Sequence, residues 1–306
     1  MNILSLFDGI SCGQIALNRA GVKIDKYFSS EIDQSSIKVA QYNYPQTTQI
    51  GNVLSVDGYS LPKIDLLIGG SPCQGFSFAG KQMNFNDSRS KLFFEFVRIL
   101  KEIKPKYFLL ENVKMKKEYQ DIISEHLNVQ PIKINSTLVS AQNRARLYWT
   151  NIPNIKQPIN KNINMIDILD NFEFNETSEK ITILDKHTSC VGLVCVGGLT
   201  KIKKWLNNGK TLQRNFSQGE RIYHIKGKSP TLSAGSGGTA GVCNALITND
   251  INSKKYRKLT IAECEKLQTM PVGYFKNIVS DAQKRKMLGN GWTIDVVTHI
   301  LKNINL

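Results

Sequence analysis

A cysteine at position 73 lies in the run Gly69-Gly70-Ser71-Pro72-Cys73-Gln74-Gly75-Phe76-Ser77, directly after the apolar stretch 64–69 (IDLLIG). A thiol attacks carbon only as its thiolate, and a loop bordered by proline and glycines at a strand end displays the side chain instead of burying it. Most cysteines are small buried hydrophobes; this loop context marks Cys73 as a nucleophile and leaves Cys12, Cys190, Cys195, Cys243 and Cys264 as free thiols. With no CxxC pair and no histidine at a zinc-ligand spacing, neither a disulfide framework nor a metal site is expected.

Two further sets of residues can serve such a nucleophile. Glu111 ends the apolar run 107–111 (YFLLE), one strand-helix unit beyond the cysteine loop. In a dry pocket such a carboxyl acts as an acid with a raised pKa, whereas a strand-end glutamate is otherwise often a solvated charge. In Gln142-Asn143-Arg144-Ala145-Arg146 the two arginines alternate with smaller residues. On extended backbone they share one face, where their guanidinium forks can hold a carbonyl and a carboxylate. A phosphate-contacting or solvent-facing strand edge is the alternative.

These groups need a scaffold, and the first half of the chain supplies strands and helices in alternation. The run 2–7 is a short strand ending in Asp8-Gly9, followed by a helical pattern over 14–20 that Gly21 can cap. A second strand over 26–31 ends in Glu31, and a helix follows over 35–42; after the strand 64–69 come a helix over 89–101 and the strand 107–111. Apolar strands joined by helices imply a doubly wound, mostly parallel sheet covered on both faces. From 151 to about 252 the chain turns rich in Asn, Gly, Lys and Thr without helical period, an irregular, β-leaning module. A helical pattern returns from 257 to 270 and stops at Pro271 and Gly273; the apolar stretch 294–301 is expected to pack back on the first domain.

The glycine turn Phe7-Asp8-Gly9-Ile10-Ser11-Cys12-Gly13 joins a strand to a helix, where backbone can approach a ligand and helix N–H groups lie unpaired. By itself a simple connecting turn explains it more commonly. Glu31, about 20 residues on, stands where an acid reaches ribose hydroxyls in nucleoside-binding α/β folds, and the two together favour a nucleoside-containing cofactor. The net charge of +15 over 306 residues favours a polyanionic partner, although codon bias toward lysine produces the same balance. No apolar stretch is long enough for a membrane helix and the N-terminus lacks a signal-peptide pattern, so a cytoplasmic protein is expected.

With these pieces in order, the chain resembles the DNA cytosine-5 methyltransferase family. The match comprises FDGxxxG at 7–13, SPCQGFS at 71–77, Glu111-Asn112-Val113, Gln142 to Arg146, and Leu288-Gly289-Asn290-Gly291. The wording of the first motif and of RSKLFFEF at 89–96 is similar to the de novo enzymes of animals and to small phage relatives. The resemblance implies a Rossmann-like catalytic domain at 1–150 plus 257–306, a small β-rich target-recognition domain at 151–256, and a monomer working in a bacterial cell or phage-infected host.

It also implies roles. Cys73 would add to carbon 6 of cytosine, Glu111 would serve ring nitrogen 3, Arg146 would touch the extruded base, and Arg144 would lie beside Glu111 and Cys73. S-adenosylmethionine would be held by Phe7, Asp8, Gly9, Ile10, Gly13, Glu31, Ile32, Asn52, Val53, Pro72, Asn290, Gly291 and Trp292. Asn52 departs from the acidic residue usual there, and its carbonyl oxygen can still accept from an adenine amino group. The partner would be duplex DNA, contacted by Gln74, Ser77, Lys201, Lys203, Lys204, Gln213, Arg214, Arg221 and Lys228, the lysines on phosphates and the arginines and amides on base edges. A tRNA methyltransferase on the same motifs, a silent DNA-binding relative and a small-molecule methyltransferase are the rivals. Intact catalytic positions argue against the second, and the cysteine loop and basic module against the third.

Overall fold

The computed structural model describes residues 1–71, 91–176, 181–190, 192–199, 204–207, 210–213, 216, 218–235, 241, 243–250, 252 and 255–304, and at 176, 184–190, 204–207 and 210–213 the backbone alone. The chain divides into two compact units, one of Met1–Asn135, Ala145–Pro158 and Ile294–Leu306, the other of Ser136–Arg144 and Ile159–Thr293.

The first unit is built from β1 (Asn2–Leu6), α1 (Cys12–Ala20), β2 (Lys26–Ser30), α2 (Gln34–Asn43), β3 (Thr48–Gln49), β4 (Leu66–Gly69), α3 (Lys91–Ile103), β5 (Tyr107–Val113), α4 (Lys117–Leu127), β6 (Ile132–Asn135) and β7 (Ala145–Thr150). They form a seven-stranded sheet in the order β3-β2-β1-β4-β5-β7-β6. Strands β1 to β5 run parallel, whereas β7 is antiparallel to both β5 and β6. The helices start and stop for local reasons. Gly21, in the left-handed region at φ 77°, closes α1, and the Asp33 side chain accepts from Ser36 N–H to open α2.

In α3 the spacing of Phe93, Phe96, Val97 and Leu100 lays one apolar stripe on the sheet, where it meets Leu67, Leu110 and the fully buried Trp149. Truncating a buried phenylalanine in such a stripe costs about 3–5 kcal/mol. The Trp149 indole N–H donates to Ser124 Oγ at 3.0 Å.

The second unit contains β8 (Asn175–Glu176), β9 (Ile181–Cys190), β10 (Leu193–Leu199), β11 (Lys204–Asn207), β12 (Lys210–Gln213), β13 (Arg221–His224), β14 (Leu246–Thr248) and β15 (Lys255–Lys258), then α5 (Ile261–Leu267) and α6 (Asp281–Asn290). Six of its strands form a sheet in the order β8-β15-β14-β13-β10-β9, and β11 pairs with β12 as a separate hairpin. Its small core joins Val196, Leu199, Ile222 and Leu246. A capping box opens α5: Thr260 accepts from Glu263 N–H while the Glu263 carboxylate accepts from Thr260 N–H.

The final helix, α7 (Ile294–Leu301), returns to the first unit. It packs on α1, with Thr298 Oγ1 donating to Ala16 O at 3.4 Å and Arg19 paired with Asp295 at 2.8 Å. The mixed α/β class with a mainly parallel sheet is the one the sequence implies. The grouping of residues differs: 257–293 fall in the second unit, and 136–144 leave the first unit although strands of that unit flank them.

Candidate active site

Glu111 and Arg146 meet at the edge of the first unit's sheet where the parallel strands end. Strand β5 carries Glu111 past its sequence-expected end to Val113, and the antiparallel register places Val113 opposite Arg146 and Glu111 opposite Tyr148. Glu111 and Arg146 therefore lie on one face, two residues apart along the ladder. Arg146 Nε stands 3.0 Å from Glu111 Oε1, with both side chains largely buried. An ion pair so far removed from water has a well-defined geometry and leaves guanidinium N–H donors for a further acceptor.

The next residue along β5 reaches Ser71. Asn112, buried, donates from Nδ2 to Ser71 Oγ at 3.1 Å and to Ser71 O at 3.4 Å, while its own Oδ1 accepts from Val113 N–H at 2.8 Å. Ser71 is the residue before Pro72-Cys73, so the chain leaves for the cysteine from a point anchored one position from Glu111. The sequence shows Asn112 only as part of the Glu111-Asn112-Val113 motif. The signal for its fixing role is an amide next to a catalytic candidate, and its burial appears only in the structure.

The residues expected to meet a nucleoside lie at the ends of β1, β2 and β3. Glu31 Oε1 accepts from Ile32 N–H at 2.7 Å and Asp33 N–H at 2.9 Å, and Glu31 Oε2 accepts from Gly9 N–H at 2.8 Å. The carboxylate is thereby oriented with lone pairs to spare. At Gly9, φ is +58° and nothing lies within 4 Å of where a Cβ would stand, so backbone is open to a ligand there. Ile32 is 67% exposed, apolar area that the flat face of a base would cover. These features fit a nucleoside cofactor: hydroxyl donors for the carboxylate and an apolar face for the base.

Other expected cofactor residues are placed differently. Ile10 and Val53 are buried with the core, Phe7 packs against it in part, and Gly13 is buried in α1. Asn52 is exposed, but its Oδ1 accepts from Leu54 N–H at 3.0 Å, which occupies one lone pair of the oxygen expected to meet adenine. The turn it caps is braced from α3, where Arg98 donates to Val53 O at 3.1 Å and Val56 O at 2.9 Å. Asp8 turns inward, its buried carboxylate accepting from Tyr27 Oη at 2.7 Å, Ser29 Oγ at 3.1 Å and the Ser11 hydroxyl.

Arg144 is engaged with backbone of its own unit. It precedes β7, belongs to the second unit and is 4% exposed. Its guanidinium donates to Leu232 O at 2.8 Å, Gly291 O at 2.9 Å and Gly289 O at 3.1 Å. The Arg144 carbonyl accepts from Ser136 N–H at 3.1 Å, directly before β7 begins. Gln142, fully buried, supports the same region, donating to Leu267 O at 3.1 Å and Gln268 Oε1 at 3.2 Å and accepting from Leu232 N–H at 2.9 Å. Asn290 is exposed, Trp292 is half-buried, and Gly291 is held by Arg144.

Among the expected DNA contacts, Lys228 is likewise directed inward. It is 8% exposed, and its ammonium donates to Thr137 O at 3.0 Å, Ser140 O at 3.2 Å and Ile163 O. Burial pulls its pKa down from the ordinary lysine value. Three carbonyls match its three N–H donors, so it crosslinks the unit and is withdrawn from phosphates. Arg221 is exposed at the start of β13. Pro72, Cys73, Gln74, Ser77, Lys201, Lys203 and Arg214 lie outside the described residues, and Lys204 and Gln213 are described by backbone alone. Among the described residues no cluster of His, Cys, Asp and Glu can hold a metal, and no helix is long and apolar enough to cross a membrane.

Comparison with known proteins places this geometry. The C-5 cytosine-specific DNA methylase family matches residues 1–306. The orphan methyltransferase M.Rho11sI of Bacillus phage rho11s is 33% identical over 298 residues, covering 79% of this chain; the alignment spans 59% of that longer relative. The type II methyltransferase M.HhaI of Haemophilus parahaemolyticus is 29% identical over 99% of this chain and 94% of its own length. M.NlaX of Neisseria lactamica, also a type II methyltransferase, is 30% identical over 99% and 95%. Among solved structures, the Entamoeba histolytica methyltransferase EhMeth shares the fold at a TM-score of 0.71 and 17% identity over 99% of this chain and 97% of that one. Spodoptera frugiperda DNMT2 does so at 0.62 and 19%, over 99% and 98%. With a family match over residues 1–306 and an α/β sheet that carries an acid and an arginine at its carboxyl edge beside Ser71, this chain is a member of the C-5 cytosine-specific DNA methylase family.

Proposed function

We propose that the protein methylates carbon 5 of a cytosine extruded from duplex DNA, with S-adenosylmethionine as methyl donor and Cys73 as covalent nucleophile. The observation that carries this reading is the Glu111–Arg146 pair beside Ser71, an acid and a cation held at the point where the chain departs for Cys73. Carbon 5 of cytosine is too weak a nucleophile to attack unaided. Addition of the Cys73 thiolate to carbon 6 pushes an electron pair through the ring toward nitrogen 3, where Glu111 delivers a proton, and the product is an enamine nucleophilic at carbon 5.

Arg146 holds Glu111 in place and offers its remaining donors to the base carbonyl. The cofactor, when bound, supplies an electrophilic methyl on a sulfonium sulfur; Glu31, Gly9 and Ile32 would hold its nucleoside, and Asn290, Gly291 and Trp292 are further residues that would bind it. After methylation water or hydroxide takes the carbon 5 proton, the pair of that carbon–hydrogen bond restores the carbon 5–carbon 6 double bond, the Cys73–carbon 6 pair leaves with sulfur as the thiolate, and Glu111 recovers the proton from nitrogen 3.

Extruding the base costs a few kcal/mol, which contacts to the flanking duplex must offset. Residues 151–256 would supply them, with Arg221 and the Lys201, Lys203, Lys204 and Arg214 group on the nucleic acid, and 1–150 with 257–306 would carry the chemistry. The protein would act as a monomer in the cytoplasm.

Incubation with tritiated S-adenosylmethionine and either unmethylated genomic DNA or bulk tRNA, followed by digestion, tests this. Label in 5-methyldeoxycytidine, lost in Cys73→Ala while DNA affinity persists, is the expected result. Label only in RNA, or parent-rate turnover by Cys73→Ala, overturns it.

A further inference from the structure

The turn from β1 into α1 is held in an unusual conformation. Phe7, Gly9 and Ser11 all have positive φ, at 58°, 58° and 59°. Glycine takes this region freely, but phenylalanine and serine adopt it only where their surroundings over-determine the backbone. Asp8, between them, is the centre of those surroundings. Its carboxylate collects Tyr27 Oη and Ser29 Oγ from β2 and the Ser11 hydroxyl from the far end of the turn. Its N–H donates to Ser30 O at 3.3 Å and its carbonyl accepts from Ser11 N–H at 3.1 Å. Gln14 Nε2 extends the network, donating to Ser11 Oγ at 3.3 Å and Thr47 Oγ1 at 2.8 Å.

Burial disfavours the charged carboxylate more strongly than these hydrogen bonds favour it, and the Asp8 pKa is raised from its ordinary value. A group 8% exposed and surrounded by hydroxyls of its own unit has no free face for a ligand. The residue that follows it does: Gly9 N–H is the donor to Glu31 Oε2. One peptide unit thus links the anchored Asp8 to the carboxylate assigned above to the ribose.

We propose that Asp8 is a positioning residue for cofactor binding: anchored on β2 by Tyr27 and Ser29, it holds the strained turn so that Gly9 N–H aims the Glu31 carboxylate at the nucleoside. This rests on the assignment of Glu31 to S-adenosylmethionine. It predicts an effect on cofactor affinity, transmitted through Glu31, with little effect on the chemical step.

The test compares the full-length parent with Asp8→Ala, Asp8→Asn, Tyr27→Phe, Ser29→Ala, Glu31→Ala and Asp8→Ala/Glu31→Ala. Affinity for S-adenosylhomocysteine is measured by calorimetry, and kcat and the KM for S-adenosylmethionine on DNA. Asp8→Ala should raise Kd and KM by about tenfold and leave kcat at saturating cofactor within about twofold, the pattern of lost binding with intact chemistry. Asp8→Asn, which keeps an acceptor, should recover part of the loss. On the Glu31→Ala background the Asp8 substitution should add less than about twofold, because the two act in series.

Parent-like Kd in Asp8→Ala, a fall in kcat at unchanged KM, or a full effect on the Glu31→Ala background overturns the proposal. If Asp8→Ala does not fold, Tyr27→Phe and Ser29→Ala carry the test, with Kd raised in both expected and parent-like Kd in both overturning it. A parent protein that fails to bind S-adenosylhomocysteine overturns the cofactor reading and this proposal together. A parent that binds beside an unaffected Asp8→Ala overturns the positioning role alone.

Discussion

Arg146 Nε lies 3.0 Å from Glu111 Oε1, a contact set by the antiparallel register of β7 on β5. If this pair holds the acid for ring protonation, Arg146→Ala should lower kcat/KM by about a hundredfold or more, with Arg146→Lys rescuing little because an ammonium cannot reproduce the fork. Single-turnover kinetics with thermal unfolding as a control measure it. A parent-like rate in folded Arg146→Ala removes the pair from the chemistry.

Arg144 should behave in the opposite way. Its guanidinium satisfies the carbonyls of Leu232, Gly289 and Gly291, so Arg144→Ala strands several buried acceptors and should destabilise the fold by about 3 kcal/mol. Activity should fall in step with the folded fraction and return when the assay is cooled. A catalytic defect at full folding, seen by circular dichroism, contradicts this.

Lys228 offers a test of charge against burial. Lys228→Met removes three hydrogen bonds to Thr137, Ser140 and Ile163 and should lower stability, yet leave the salt dependence of DNA binding unchanged. Neutralising a lysine on phosphate would instead reduce the slope by about one. Fluorescence anisotropy across a salt series separates the two.

Glu263 should shape the acid limb of stability. Burial raises its pKa, but hydrogen bonds from Arg257 and from the backbone of Thr260 and Asp170 outweigh that, and the net shift is downward from its ordinary 4.5. The folded protein thus holds this proton less tightly than the unfolded chain does. The stabilisation is fully present above pH 4.5 and is lost as pH falls through the lower folded value. Glu263→Gln should cost about 3 kcal/mol at neutral pH, with the gap to the parent narrowing in acid. Urea unfolding at a series of pH values measures it; a constant gap rules it out.

Much of the first unit was legible because its signals are local. Apolar runs 2–7, 26–31, 64–69 and 107–111 all appear as strands, and Gly21 caps the helix that it punctuates. Glu31 could be placed at a strand end by counting, and its three backbone donors are a consequence of that position. Strand direction is not a local property, so the insertion of antiparallel β7 between β5 and β6 could not be read from residues 145–150. Nor could the sequence show that Arg144, one residue before β7, donates to the carbonyls of Leu232, Gly289 and Gly291, which come from distant parts of the chain. Lys228 was hidden differently, since a lysine in a basic segment gives no sign that carbonyls from 137, 140 and 163 surround it.

The interleaving of the two units constrains how this chain can be recombined. The chain leaves the first unit after Asn135, returns at Ala145, leaves after Pro158 and returns at Ile294. A crossover on each side of 159–293 would import a foreign second unit but leave Ser136–Arg144 behind, with Gln142 seeking Leu267 and Leu232, Arg144 seeking Leu232, Gly289 and Gly291, and a new counterpart of Lys228 seeking Thr137 and Ser140. Viable chimeras must therefore draw both segments from one parent or from parents that agree at these positions, and random gene fusion will yield soluble hybrids far more often when the nine residues of the short segment travel with the long one.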